Sequence, residues 1–330
     1  MSRKPLHIRL LRHGIVLTGG AIFEEFFIDA IENELIHNSR GVKKDKVVFA
    51  RLFHGIQNVV LMAKGFYYCN ADVNIVTARL ALSSLLRNLF SNRKTVVVLY
   101  NFDTNDAKSF YLKIYYRLLF GILSLHLKTT CIICQSPYFL HFFRDQFNKT
   151  PVYKVPNLFQ TERYKKRVYR NPKKILLGQY SLKNDAAVYK LAKQLSGSGY
   201  YCYFLTLNSS LSGKHADYEV KSVSFEEYLD EMATSYCSIA FSKVKEGWNR
   251  MAHESILVGT PVIGYNSGGL GDMLRESDSY IVASADEAFD LIVNQKVEYR
   301  TSPAFIERYD IINAPKYLEP VIKFISSDLN

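Results

Sequence analysis

The stretch Glu246-Gly-Trp-Asn-Arg-Met-Ala-His-Glu254-Ser-Ile-Leu-Val-Gly259-Thr-Pro-Val-Ile-Gly-Tyr-Asn-Ser-Gly268-Gly-Leu-Gly-Asp272 carries the most information in this chain. It follows Ser238–Phe241, a short apolar run that reads as a buried strand. A loop holding Glu246 and Gly247 comes next, and the spacing predicts a helix over Trp248–Val258. Trp248, Met251, Ala252, Ser255, Ile256 and Gly259 share one face at helical spacing, with Arg250 and Glu254 off that stripe. Gly259 is a C-cap residue, and Pro261 opens the next strand, Pro261–Tyr265. Gly268-Gly269 reads as a second turn where backbone can approach a ligand closely. A helix that opens behind such a loop presents free N–H groups and the positive end of its dipole, a ready anion site. Each charge alone also has an ordinary reading. Arg250 and Glu254 make an exposed i,i+4 ion pair worth about 0.3 kcal/mol, and Glu246 is a solvated loop carboxylate.

Outward from this stretch, strand-like and helix-like runs alternate. In the first half, strands are expected at His7–Leu11, Lys46–Leu52, Val73–Thr77, Thr95–Leu99, Thr129–Cys134 and Val152–Val155. Helices are expected there at Ala21–Ile36, Arg79–Phe90, Asp106–Leu127 and Tyr138–Phe147. In the second half, strands are expected at Lys174–Leu177, Tyr200–Leu207, Ser238–Phe241, Pro261–Tyr265 and Ser279–Val282. The other helices there are Asp185–Leu195, Phe225–Met232, Glu287–Gln295 and Pro315–Ile325. Strands alternating with helices of ten or more residues imply parallel sheets with crossover helices. Two such sets imply an α/β chain of two doubly wound, Rossmann-like domains, 1–160 and 161–330, with a ligand cleft near the C-terminal strand ends. The polar stretch Gln160–Lys174 reads as the solvated linker between them.

At 330 residues, 48% apolar and 22% charged, the chain has the composition of about two globular domains, which excludes disorder, collagen and coiled coil. Five scattered cysteines do not form a disulfide framework. The CxxC pair Cys131 and Cys134 lies in an apolar run, where a buried strand is expected rather than a redox or zinc site. The eight histidines form no metal-binding pair. No apolar core follows the opening Met1-Ser2-Arg3-Lys4-Pro5, and the uncharged Thr129–Phe143 is shorter than the ~18 residues of a membrane span. A cytoplasmic setting is the expectation, with peripheral contact at the inner face of the cell membrane.

The charge is uneven. Residues 1–160 carry 21 Lys and Arg against 10 Asp and Glu, whereas 161–330 carry 21 against 21, so the whole +11 excess lies in the first half. That points to an anionic partner for one half: nucleic acid, an anionic lipid surface or an anionic substrate. No nucleic-acid motif occurs. The Asp106–Leu127 helix mixes aromatic residues with Lys108, Lys113 and Arg117. It reads either as a helix lying on an anionic membrane or as a core helix with snorkelling lysines.

The combination Glu246-Gly247, Glu254, Gly259-Thr-Pro-Val-Ile263 and Gly268-Gly269 resembles the retaining glycosyltransferases of family 4, which have the GT-B fold of two Rossmann-like domains facing a central cleft. The resemblance implies that Glu246 contacts the donor sugar beside its reacting carbon and that Glu254 binds ribose hydroxyls of the nucleotide. It places the diphosphate at the helix N-terminus between them, around Gly247, Trp248, Asn249 and Arg250, with Gly268 and Gly269 also lining the donor. Gly19-Gly20 resembles the family's N-terminal Gly-rich loop. Lys183 matches the lysine that neutralises the leaving diphosphate, although the spacing is one residue short. The accompanying arginine position is Gln179, which leaves that site one charge weaker or passes the role to Arg250. Where many members carry a sugar-contacting histidine, this chain reads Tyr100-Asn101-Phe102-Asp103, so Asn101, Asp103 or His13 stands in. Val155-Pro156-Asn157 resembles the turn that ends the family's first domain, and helix 315–325 fits the fold's habit of crossing back to that domain.

No Asp-x-Asp occurs, in keeping with metal-independent chemistry that needs no cofactor beyond the donor. The resemblance thus implies a hexosyltransferase-type enzyme moving a sugar from a nucleotide-diphosphate sugar to a glycan or lipid-linked acceptor, as in surface polysaccharide biosynthesis. The alternatives are a catalytically degenerate GT-B partner subunit, or a GT-B sugar-nucleotide epimerase or phosphorylase.

Overall fold

The computed structural model describes residues 5–13, 19–37, 42–49, 66–89, 91, 93–99, 110–125, 127–164, 169–180, 184–206, 208–242 and 244–327. The chain forms two compact units: 1–157 with 312–330, and 158–311.

The first unit contains β1 (Leu6–His13), α1 (Gly19–His37), β2 (Val42–Phe49), β3 (Val73–Thr77), α2 (Ala78–Asn88), β4 (Lys94–Val98), α3 (Phe110–Leu123), β5 (Thr130–Cys134), α4 (Pro137–Gln146) and β6 (Val152–Lys154). Its six strands are parallel, in the order β2-β1-β3-β4-β5-β6. The wholly buried runs Lys-Thr-Val-Val-Val of β4 and Thr-Cys-Ile-Ile-Cys of β5 are what a parallel sheet covered on both faces requires. Ser136 caps α4 by accepting the Phe139 N–H, with Pro137 at the first helical position.

The second unit contains β7 (Asn171–Gln179), α5 (Ala186–Gly197), β8 (Tyr201–Thr206), β9 (Gly213–Lys214), β10 (Glu219–Ser222), α6 (Phe225–Ala233), β11 (Ser235–Ala240), α7 (Arg250–Leu257), β12 (Val262–Tyr265), α8 (Gly268–Glu276), β13 (Tyr280–Val282), α9 (Ala285–Val293) and α10 (Pro303–Arg308). The sheet order is β13-β12-β11-β7-β8-β10-β9, parallel except for the β9–β10 pair. The strand order reverses between β7 and β11, which is where a doubly wound sheet leaves a crevice outside its strand ends.

The last helix, α11 (Ala314–Ser326), belongs to the first unit. Lys94, at the start of β4, is 4% exposed. Its ammonium donates to the Phe324 and Ser327 carbonyls and to Ser327 Oγ, so a cation closes the negative end of α11.

The unit boundary falls at 157/158, earlier than the expected 160/161. Phe159 N donates to Tyr309 O and Ile311 N donates to Phe159 O, while Thr161 Oγ1 donates to Asp310. Phe159 and Tyr164 are both in the second unit's core. The start of the expected solvated linker is therefore packed, with a 3-10 turn at Thr161–Tyr164.

Candidate functional site

The C-terminal ends of β7, β11 and β12 carry the candidate residues of the second unit. Gln179 ends β7 and is exposed. The segment after it is tied to the end of β11: Asp185 N–H donates to Phe241 O at 3.2 Å, Asn184 bridges Ser242, and Asn184 Nδ2 donates to Gln179 O at 3.1 Å. The Phe241 ring stacks on Tyr265 at 4.1 Å, joining the ends of β11 and β12.

Glu246 is held from both sides. Its carbonyl accepts the Gly269 N–H at 2.8 Å. Gly268 has φ +54°, and a Cβ there would lie 2.9 Å from that same carbonyl. Only glycine meets both conditions without strain. The Glu246 carboxylate accepts Asn249 Nδ2 at 2.8 Å, and Asn249 Oδ1 accepts the Ala252 N–H at 2.9 Å. One amide thus caps α7 and aims a carboxylate beside its N-terminus. The Arg250 and Met251 N–H groups precede any intrahelical acceptor, and they form the positive end of the helix.

α7 opens at Arg250, not at Trp248. Asn249 is the better N-cap, and Trp248 lies in the loop before it. The helix ends with Val258 as C-cap, and Gly259 follows at φ +86°. The expected single apolar stripe is also corrected, because every residue from Met251 to Leu257 is buried. Elements distant in sequence cover the outer side: Tyr164 from the 3-10 turn and Tyr228 from α6.

The Arg250–Glu254 pair is therefore not the exposed pair of the sequence reading. Arg250 Nε donates to Glu254 Oε1 at 2.8 Å, and the Glu254 side chain is 5% exposed. The Tyr164 hydroxyl donates to Oε1 at 3.3 Å and the Tyr228 hydroxyl to Oε2 at 3.2 Å. The Arg250 guanidinium also sits over the Phe159 ring at 4.8 Å. Burial pushes the Glu254 carboxyl up, against Arg250 and the two hydroxyls that hold it down. Burial likewise raises both phenols.

Trp248 faces inward as well. Its Nε1–H donates to His253 Nδ1 at 2.8 Å, and its ring lies 5.1 Å from Tyr309. Its backbone, not its indole, is what a ligand could meet. His253, which the sequence reading missed, is fully buried among Phe159, Trp248, Phe305 and Tyr309. Its signal was only the neighbouring Glu254, since one histidine on an apolar helix carries no pattern of its own.

Gly268 and Gly269 are the first turn of α8 rather than a free turn. Gly247, Trp248, Asn249, Arg250, Glu246, Glu254, Gly268, Gly269 and Gln179 thus all belong to the strand-end side of the second unit. In the first unit, His13 ends β1, and Gly19 and Gly20 open α1 two residues before the expected start. Those three lie at the C-terminal end of β1, beside the reversal between β1 and β3. Asn157 of the Pro-Asn turn accepts Gln135 Nε2 at 3.1 Å. Lys183, Asn101 and Asp103 lie outside the described residues. Among the described residues, no group of three or more His, Cys, Asp or Glu side chains could hold a metal ion, and no helix is long and apolar enough to cross a membrane. Cys131 and Cys134 are buried in β5, and burial raises both thiols.

No protein-family model and no curated protein matches the chain. Solved structures do. HepE of Anabaena, crystallised with UDP, aligns with a TM-score of 0.69 at 14% identity over 96% of this chain and 100% of its own. Sucrose-phosphate synthase of Thermosynechococcus elongatus aligns with a TM-score of 0.68 at 11% identity, over 96% and 98%. A glycosyltransferase of Rickettsia africae aligns with a TM-score of 0.66 at 13% identity, over 98% and 99%. The chain has the fold these proteins share, GT-B, with two parallel-sheet Rossmann-like domains.

Proposed function

We propose that the chain is a retaining, family 4-like glycosyltransferase that takes a sugar from a nucleotide-diphosphate donor. The observation that carries this reading is the pinning of Glu246 at the strand-order reversal, by Asn249 on one side and Gly268-Gly269 on the other. A uridine donor is the first choice, supported by the UDP and UDP-glucose complexes of HepE.

In this reading the Arg250 and Met251 N–H groups meet the diphosphate, with Lys183 adding charge as the leaving group departs. The neutral Gln179 adds none. Helix dipole and lysine then do the neutralising that a divalent ion does elsewhere. Glu246, held about one turn before the helix, faces the sugar. Glu254 would hold the ribose by exchanging hydroxyls. The hydroxyls to be exchanged are those of Tyr164 and Tyr228, which bond Glu254 at 3.3 and 3.2 Å. Arg250 is committed to Glu254 and is not the replacement for the missing arginine. The basic first unit would take a glycan or lipid-linked acceptor, with Gly19, Gly20, His13, Asn101 and Asp103 as its candidate residues. Surface polysaccharide assembly at a cytoplasmic membrane face fits that charge.

The test is turnover of UDP-sugars with wild type and Glu246→Gln. Glutamine keeps an acceptor for Asn249 Nδ2, so the cap survives. The expected result is nucleotide release lowered about 100-fold or more in the variant, with donor binding retained. Equal turnover in both removes Glu246 from the chemistry. The neutral Gln179 favours one rival, a partner subunit that binds without transfer. It predicts donor binding with no turnover even in wild type. Turnover without an alcohol acceptor, or only with phosphate, would instead mark an epimerase or phosphorylase.

A further inference from the structure

Helix α3 turns an apolar stripe to solvent. Ile114, Leu118 and Leu125 are 39%, 54% and 66% exposed. Ile114, Leu118 and Gly121 lie within about 60° of one another around the helix, and Leu125 extends the line in the following turn. The opposite face is core, with Tyr115, Leu119 and Leu123 buried. The helix cannot roll to hide the stripe. The Tyr115 hydroxyl donates to Ala78 O at 2.8 Å, and Thr150 Oγ1 donates to Leu123 O at 2.6 Å.

The charges nearest the stripe along the chain are cationic. Lys113 and Arg117 are exposed beside it, and Lys128 follows it. Residues 107–144 contain five Lys and Arg and no Asp or Glu. The unit that bears α3 carries 23 cationic against 12 acidic residues, whereas 158–311 carries 19 against 19. A singly exposed leucine needs no explanation, but an aligned apolar row flanked by Lys113, Arg117 and Lys128 is the pattern of a helix lying in a membrane interface.

We propose that α3 docks the first unit onto an anionic lipid surface. Ile114, Leu118 and Leu125 enter the headgroup boundary, while Lys113, Arg117 and Lys128 pair with lipid anions. A second copy of the chain is a poorer occupant, because a two-fold contact over this face sets Lys113 and Arg117 against their own counterparts. The inference deepens the transferase reading by naming the surface from which a lipid-borne acceptor is reached. Vesicle binding is measured without donor or acceptor, so its failure and the failure of that reading are distinguishable.

The experiment is sedimentation of the full chain with vesicles of phosphatidylcholine alone or with phosphatidylglycerol, at low and high salt. Wild type should bind the anionic vesicles and not the neutral ones. Lys113→Gln with Arg117→Gln should weaken low-salt binding about 30-fold, at ~1 kcal/mol per cation. Ile114→Ser, Leu118→Ser and Leu125→Ser together should weaken it at least ~10-fold, including at high salt. Ile312→Ser, elsewhere in the same unit and 78% exposed, should bind as wild type does. Equal binding to both vesicle types overturns the proposal, as does an unaffected triple serine variant. A wild-type dimer that the triple variant converts to monomer also overturns it and assigns the face to a second copy.

Discussion

Acid should destabilise the 158–311 unit through His253. Its Nδ1 accepts the Trp248 indole proton at 2.8 Å, so the neutral ring carries its own proton on Nε2. That Nε2 is buried and makes no hydrogen bond among the described residues. Protonating Nδ1 would break the Trp248 bond and strand a cation among four aromatic rings. Burial first, and the Arg250 charge second, therefore lower the His253 pKa from 6.5 to about 3. A base whose folded pKa is depressed takes its proton mainly in the unfolded chain. Stability therefore rises with pH between about 3 and 6.5, and is lost as pH falls through that window. Between pH 8 and pH 5 the loss is about 2 kcal/mol, at ~1.36 kcal/mol per pH unit below 6.5. A domain of about 150 residues shifts Tm by ~2–4 °C per kcal/mol, so His253 accounts for ~4–8 °C. His253→Gln offers Trp248 an amide oxygen and does not titrate. Calorimetric melts of wild type and variant at both pH values isolate the effect. The variant should melt lower at pH 8, yet lose ~4–8 °C less on going to pH 5. Equal losses in the two proteins would refute the reasoning.

Three further outcomes follow from the packing. Lys94→Met should remove the cation from the carbonyl end of α11, lowering stability by about 1–2 kcal/mol in urea titration and opening the chain to proteolysis near 312–314. Gly268→Ala sets a Cβ 2.9 Å from Glu246 O at φ +54°, so it should lower stability by ~1–2 kcal/mol and turnover by more than that loss explains. All five cysteines are buried and burial raises their thiols, Cys69 to about 11, so an aromatic disulfide reagent should label none in the native protein and five after denaturation.

The alternation of strands and helices was legible because parallel strands are short, mostly apolar runs. Val73–Thr77 is identical in sequence reading and structure, and the neighbouring strands differ by a residue or two. The elements that escaped are those with little pattern of their own. In β10 only Val220 is buried, α10 has six residues, and α8 begins Gly-Gly-Leu-Gly, a poor intrinsic start that tertiary packing overrides. At the site, the Glu246-to-Asp272 stretch marked the candidate residues but not what surrounds them. The burial of Glu254 comes from Tyr164 and Tyr228, 90 and 26 positions away, and no local periodicity encodes contacts that distant. The shift of the helix start to Arg250 was readable in principle, since Asn249 is a strong N-cap and tryptophan is not. The exposed stripe of α3 was half-visible. Its aromatic and basic residues suggested two readings, and only the placement of Tyr115 and Leu119 in the core told which face remained outside.

The most direct test of the account is titration calorimetry of UDP, GDP and ADP into wild type and Asn249→Asp. Aspartate caps a helix as well as asparagine, so α7 should persist. It loses the bond to Glu246 and adds a negative charge where the diphosphate is placed. The account predicts that one nucleoside diphosphate, UDP first, binds wild type and binds the variant at least ~10-fold more weakly, while the variant still melts cooperatively, at a temperature lowered only by the repulsion between the two carboxylates. Equal affinity in the two proteins, or no binding of any nucleoside diphosphate to wild type, would contradict it.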